Sequence, residues 1–148
     1  MDNYKVAVIG CGGIGQKHAQ GAIGLANVEV VAGCDLSAQT SLAFKEKWKD
    51  QWPNIALYDD HNKMFEVEKP NIVTIATPDN RHADLVVAAA NAGARGVFCE
   101  KPLATTLDDA DRMITACEKN GTILSVDHTR RFNPLWRHLK EQVIDGGE

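Results

Sequence analysis

Hydrophobic positions along the chain fall into short unbroken runs, separated by segments whose apolar residues recur every three or four positions. Residues 4–10 (YKVAVIG) are the first run and end in glycine. Residues 13–27 follow, with Ile14, His18, Ala22 and Leu25 three or four apart, the spacing of one helix face. The alternation continues with strand-like runs at 28–35, 54–60, 71–78, 96–102 and 121–127, and helix-like segments at 37–50, 61–69, 81–93, 106–120 and 133–145. Ser37 is the expected N-cap of the second helix. Asn133, followed by Pro134 at the first helical position, is the expected start of the last.

Six strands thus alternate with six helices. The strands are apolar at consecutive positions, as both faces of a parallel sheet require when helices cover them. Short loops between strand and helix point the same way. The expected fold class is α/β, a doubly wound parallel sheet of about six strands, with residues 1–148 as one domain.

Composition narrows the function classes. The 148 residues carry a net charge of −4, with 24% charged and 44% hydrophobic residues. That balance provides no footprint for nucleic acid or an anionic membrane. No apolar stretch approaches the roughly 20 residues that span a bilayer. The first ten residues lack the basic and apolar regions of a secretory signal, so a cytoplasmic location is expected. Cys11, Cys34, Cys99 and Cys117 are scattered, without CxxC or zinc spacing. They are read as buried free thiols, and no metal is expected.

Candidate chemistry begins between the first strand and first helix. Gly10, Gly12 and Gly15 in GCGGIG match G-x-G-x-x-G, a loose pattern when met alone. Here it follows a strand and opens a helix, and Asp35 ends the next strand 20 residues after Gly15. That is the dinucleotide fingerprint of a Rossmann fold. Gly10 permits the tight turn, Gly12 lets a pyrophosphate approach, and Gly15 allows close helix packing. Gly13 and Ile14 offer free N–H groups at the positive end of the helix. A carboxylate at Asp35 accepts both ribose hydroxyls and repels a 2′-phosphate, and Leu36 and Ser37 supply no arginine. NAD is therefore favoured over NADP, although Lys45 and Lys47 lie within a few turns.

Ligands on open parallel sheets sit outside the carboxyl ends of the strands. Those ends read ATPDNRH, CEKPLA and VDHTRRFNP after strands four, five and six. Glu100 and Lys101 fall on this rim. Pro102 restricts the lysine to extended geometry. Lys101 could hydrogen-bond a substrate hydroxyl and stabilise an alkoxide, and a solvated turn lysine is the other reading.

The segments GCGGIGQKH (10–18), ATPDNRHADLVVAAANAG (76–93), CEKPLA (99–104) and RRFNP (130–134) resemble the N-terminal domain of the Gfo/Idh/MocA oxidoreductases in the same order. The resemblance covers nearly the whole chain, and E-K-P is its most specific part. It implies a tight turn, often with a cis proline, whose Glu100 approaches the nicotinamide and whose Lys101 faces substrate as the catalytic residue. It also implies that Thr77 and Pro78 line the dinucleotide, with Asn80 and His82 nearby, and that Arg130 or Arg131, here taken as Arg131, faces the nicotinamide. His82 read alone could simply begin a helix, and His128 reads as a structural hydrogen-bonding group. Trp48, Trp52 and Trp136 are expected to pack against helices.

Family members run on into a second α/β domain that supplies an Asp, a His and most of the substrate pocket. By resemblance, this chain is the NAD(P)-binding domain of a larger dehydrogenase acting on CH–OH groups of a sugar, sugar derivative or cyclitol. It is expected to bind dinucleotide, to turn over little alone, and to form any homo-oligomer through the second domain. A dinucleotide-binding sensor of the same fold, and a reductase of imines or amino-acid precursors, are the alternatives.

Overall fold

The computed structural model describes residues 3–145. The apolar runs become six strands: β1 (Tyr4–Ile9), β2 (Val28–Cys34), β3 (Ala56–Tyr58), β4 (Ile72–Ile75), β5 (Gly96–Cys99) and β6 (Ile123–Val126). All pair in parallel, in the order β3-β2-β1-β4-β5-β6. The order reverses between β1 and β4, and the crevice at that switch point is where such sheets bind ligands.

Helices α1 (Gly13–Gly21), α2 (Ala38–Trp48), α3 (His61–Glu68), α4 (His82–Asn91) and α5 (Leu107–Asn120) alternate with the strands. Consecutive residues of β1 serve opposite cores, which is why the run is continuously apolar. Val6 and Val8 pack with Ala19, Phe44, Trp48, Trp52 and Ile55 beneath α1 and α2. Ala7 and Ile9 pack with Met64, Val73, Ile75, Leu85, Val86 and Met113 beneath α3, α4 and α5. Trp48 and Trp52 are buried as expected.

Side-chain caps start most of the helices. Ser37 accepts from Thr40 N–H at 3.2 Å, as expected, Asp60 from Asn62 N–H at 2.9 Å, and Thr106 from Asp109 N–H at 3.1 Å. Each such cap satisfies an N–H that has no intrahelical partner and contributes about 1 kcal/mol.

The strands are shorter than the apolar runs, and two helical regions differ most from expectation. The first helix stops at Gly21 instead of continuing to Asn27, because the chain turns through Gly24 at φ +78° and Asn27 at φ +62°, both left-handed. The last segment is divided. A four-residue helix α6 (Thr129–Phe132) precedes α7 (Pro134–Lys140), which runs into a π-helical turn, Glu141–Asp145. Asn133 caps α7 as expected, accepting from Leu135 N–H at 2.9 Å. Trp136 does not pack inside: it is 49% exposed, with the Arg130 guanidinium 5.8 Å from its ring.

The α1 side of the sheet is covered unevenly. Helices α1 and α2 lie over β1, β2 and β3, whereas Ile123 of β6 is 74% exposed.

Phe44, fully buried and in the core under α1 and α2, is the load on that layer. Phe44→Ala is expected to cost about 3–5 kcal/mol, measured as a fall in the urea midpoint at unchanged slope.

Candidate functional site

The turn between β1 and α1 is held open by missing side chains. Gly10 has φ +87°, and a Cβ there would lie 2.5 Å from the Ala76 carbonyl oxygen. A Cβ on Gly15 would lie 1.9 Å from the Gly10 carbonyl oxygen. Gly10 and Gly15 are thus demanded by the protein's own packing. Gly12 is different, since a Cβ there would meet nothing within 4 Å. It is the N-cap of α1 and has no side chain to satisfy the first-turn N–H groups of Gly13, Ile14 and Gly15. The space over Gly12 and those unclaimed donors fit a phosphate group.

Asp35 follows β2 and is tied to the same turn. Its Oδ2 accepts the Cys11 N–H at 2.9 Å and its Oδ1 accepts the Ser37 N–H at 2.9 Å. Each carboxylate oxygen retains a further lone pair. The carboxylate is therefore fixed in place and still able to accept hydroxyl protons. Gly10, Gly12, Asp35, Thr77, Pro78 and Asn80 line one cleft of about 460 Å³. Asp59, His61 and Arg81 also border it, and sequence reasoning missed all three. Asp59 follows β3 directly, at the same carboxyl edge of the sheet as Asp35.

Glu100 and Lys101 lie across the switch point, in the tail of β5, along a second cleft of about 610 Å³ with Ile14, Lys17, His18, Phe98, Asp127 and Thr129 on its walls. Lys101 is exposed and the Lys101–Pro102 peptide is cis, as the resemblance implied. Glu100 is turned inward: its Oε2 accepts the Lys101 backbone N–H at 3.1 Å.

His82, expected beside the dinucleotide, is turned away from both clefts and is 1% exposed. Its Nδ1 lies 2.9 Å from the Pro102 carbonyl oxygen and its Nε2 lies 3.0 Å from that of Thr77. The ring ties the tail of β4 to that of β5. Arg130 and Arg131 lie on the short helix α6. They border a separate depression with Phe132, Trp136, Arg137, Lys140 and Glu141, so Arg131 is not brought to the glycine-turn cleft.

All four cysteines are buried free thiols. Burial, reinforced by neighbouring acids, pushes Cys11, Cys34 and Cys99 up to about 12. Cys11 in the glycine turn and Cys34 before Asp35 are therefore packing groups, not nucleophiles. Among the described residues, His18, Glu100 and Asp127 are the group whose ligand atoms lie within 4.8 Å of one another.

A family model described as an oxidoreductase family with an NAD-binding Rossmann fold, Gfo/Idh/MocA, matches residues 4–128. The chain belongs to that family. It is 36% identical over 146 residues to the inositol 2-dehydrogenase of Salmonella paratyphi B, covering 97% of this chain and 42% of that protein. The crystal structure of myo-inositol 2-dehydrogenase from Lactobacillus plantarum superposes with a TM-score of 0.84 at 27% identity, over 99% of this chain and 42% of that one. The WlbA dehydrogenase of Bordetella pertussis, in complex with NADH and UDP-GlcNAcA, gives 0.81 at 25% identity, over 97% and 42%. The chain thus spans about two fifths of the length of these relatives.

Within this Gfo/Idh/MocA domain, His18 and Asp127 are two further residues that the sequence alone does not single out. His18 sat inside an apolar helix stripe and was counted as part of it. Asp127 lies in the tail of strand six, where spacing along the chain assigns it no partner. The register Cys99↔Val126 makes Glu100 and Asp127 next-door neighbours on one sheet face, a signal available only once strand pairing is known.

Gly15→Ala is expected to destabilise the domain by about 3 kcal/mol, the upper end of the usual overpacking cost, because backbone and not a flexible side chain must move. A thermal melt without added ligand reads this directly.

Proposed function

We propose that this chain is the dinucleotide-binding part of a dehydrogenase transferring hydride between NAD(H) and a hydroxyl- or carbonyl-bearing carbon of a sugar, sugar derivative or cyclitol. The observation that carries the reading is the fixed Asp35 carboxylate beside an unfilled glycine turn. The first-turn N–H groups of α1 would hold the pyrophosphate, and Asp35 would accept the adenosine ribose hydroxyls. Thr77, Pro78 and Asn80 form the facing wall of the cleft.

NAD is preferred over NADP on electrostatic grounds. An added 2′-phosphate would stand against Asp35, with Asp59 also on the wall. Arg81 is the cation on that wall, from the turn before α4.

The bound nicotinamide supplies the site that accepts or donates hydride. Lys101 is the group of this chain that would meet the substrate. Its Nζ donates a hydrogen bond to the substrate oxygen and stabilises negative charge there as the C–H bond breaks. The backbone that carries it is held by Glu100 from one side and, through the Pro102 carbonyl, by His82 from the other. The inositol and sugar-nucleotide names of the relatives support a polyhydroxylated substrate.

Thermal melts with NAD⁺ and NADP⁺ test this reading. NAD⁺ at a hundredfold excess over its Kd is expected to stabilise the chain by about 2.7 kcal/mol, with a smaller effect from NADP⁺. Gly12→Ala should leave the unliganded melt within about 0.5 kcal/mol of wild type and abolish the NAD⁺ shift. Equal shifts in Gly12→Ala and wild type would remove the glycine turn from the binding site.

A further inference from the structure

Behind the Glu-Lys turn three ionisable side chains meet. His18 of α1 has a side chain only 4% exposed, its ring 5.1 Å from that of Phe98. Neither ring nitrogen makes a well-formed hydrogen bond. Nε2 faces Glu100 Oε1 at 3.4 Å and Asp127 Oδ2 at 3.6 Å. The other oxygen of Glu100 receives the Lys101 N–H. A line of polar contacts therefore runs from the imidazole, through one carboxylate, to the backbone of the lysine.

Two carboxylates this close, with side chains 15% and 12% exposed, resist being ionised together. Burial first, then the charge of Glu100 and a hydrogen bond to it, raise the Asp127 pKa, with His18 opposing. The other groups on this cleft are the Lys17 and Lys101 ammonium groups and the Thr129 hydroxyl; the Thr74 hydroxyl on the sheet floor is buried without a partner.

We propose that His18 and Asp127 are positioning residues for Lys101, acting through the Glu100 carboxylate. A proton held between Glu100 and its neighbours keeps that carboxylate turned inward onto the Lys101 N–H. The lysine is then the one charge of the Glu-Lys pair that projects outward. Since protonated Asp127 is the form that donates to Glu100, its hold is complete at low pH and is lost as pH rises through the raised Asp127 pKa. This deepens the role given to Lys101 above, yet its structural half can be read without any nucleotide.

The Lys101 backbone amide is the reporter, followed by NMR shift and hydrogen exchange in the whole chain between about pH 4 and pH 8. In wild type its shift should move with the Asp127 carboxyl titration. Asp127→Asn keeps a donor to Glu100 and cannot ionise, so it should hold the amide at its low-pH position throughout. Asp127→Ala, and His18→Phe, which keeps a ring on Phe98 and removes both nitrogens, should speed Lys101 exchange about tenfold, the equivalent of one lost hydrogen bond. A wild-type pH profile in Asp127→Asn, or unchanged exchange in both truncations, would overturn the proposal. A Lys101 shift that collapses on adding EDTA would assign a cation to the triad and also overturn it. NADH affinity across the same pH range supplies the functional arm: a pH dependence in wild type that Asp127→Asn flattens supports the link to Lys101, and identical profiles refute it. Failure of wild type to bind NADH at any pH would instead count against the dinucleotide reading, with the amide data still deciding the triad.

Discussion

Helix α1 approaches the end of β1 so closely that the Gly10 carbonyl oxygen would lie 1.9 Å from any Cβ at position 15, and everything at the site is arranged around that contact. The approach places the N-terminus of α1 directly over the carboxyl edge of the sheet, at the strand-order reversal. It also brings Cys11 N–H to Asp35, so that the turn and the acid after β2 become one rigid piece. The same helix carries His18 on its inner face, less than one turn past Gly15, to the acids after β5 and β6. One backbone contact thus sets the geometry of both clefts.

The lysine turn depends on a second arrangement, distributed over three strand tails. Thr77 after β4, Pro102 after β5 and Asp127 after β6 are joined through two histidines with opposite habits. His82 bridges two carbonyl oxygens and works as a fixed strut. His18 faces two carboxylates, whose preferred charge state changes with their surroundings.

The fold was legible in the sequence because its signals are local. Continuous apolar runs, three- to four-residue spacings, Ser37 and Asn133 as caps and the glycine turn each act within a few residues. Membership of the Gfo/Idh/MocA family was readable for a related reason: the E-K-P and R-R-F-N-P segments are short and contiguous. Where local signals conflicted, boundaries moved. Gly24 and Asn27 adopt left-handed backbone and end the first helix early, although its apolar spacing continues to Leu25. The inward turn of His82 and the separation of Arg131 from the cleft rest on tertiary position, which spacing does not encode. The meeting of His18, Glu100 and Asp127 joins residues on three elements, and only strand register reveals it.

The uneven cover on the α1 side of the sheet gives the domain a gradient of local stability. Beneath α1 and α2 the strands lie in a dry, two-sided layer, whereas β6 is an edge strand with one face open. Regions with few apolar contacts open first. The glycine turn and Asp35 stand over the covered half, while Asp127 stands at the end of β6, an edge strand. An extended ligand laid across the switch point would therefore be received by a preformed cradle at one end. At the other it would meet the Glu-Lys turn, whose inward carboxylate is already seated on the Lys101 N–H beside His18 and Asp127.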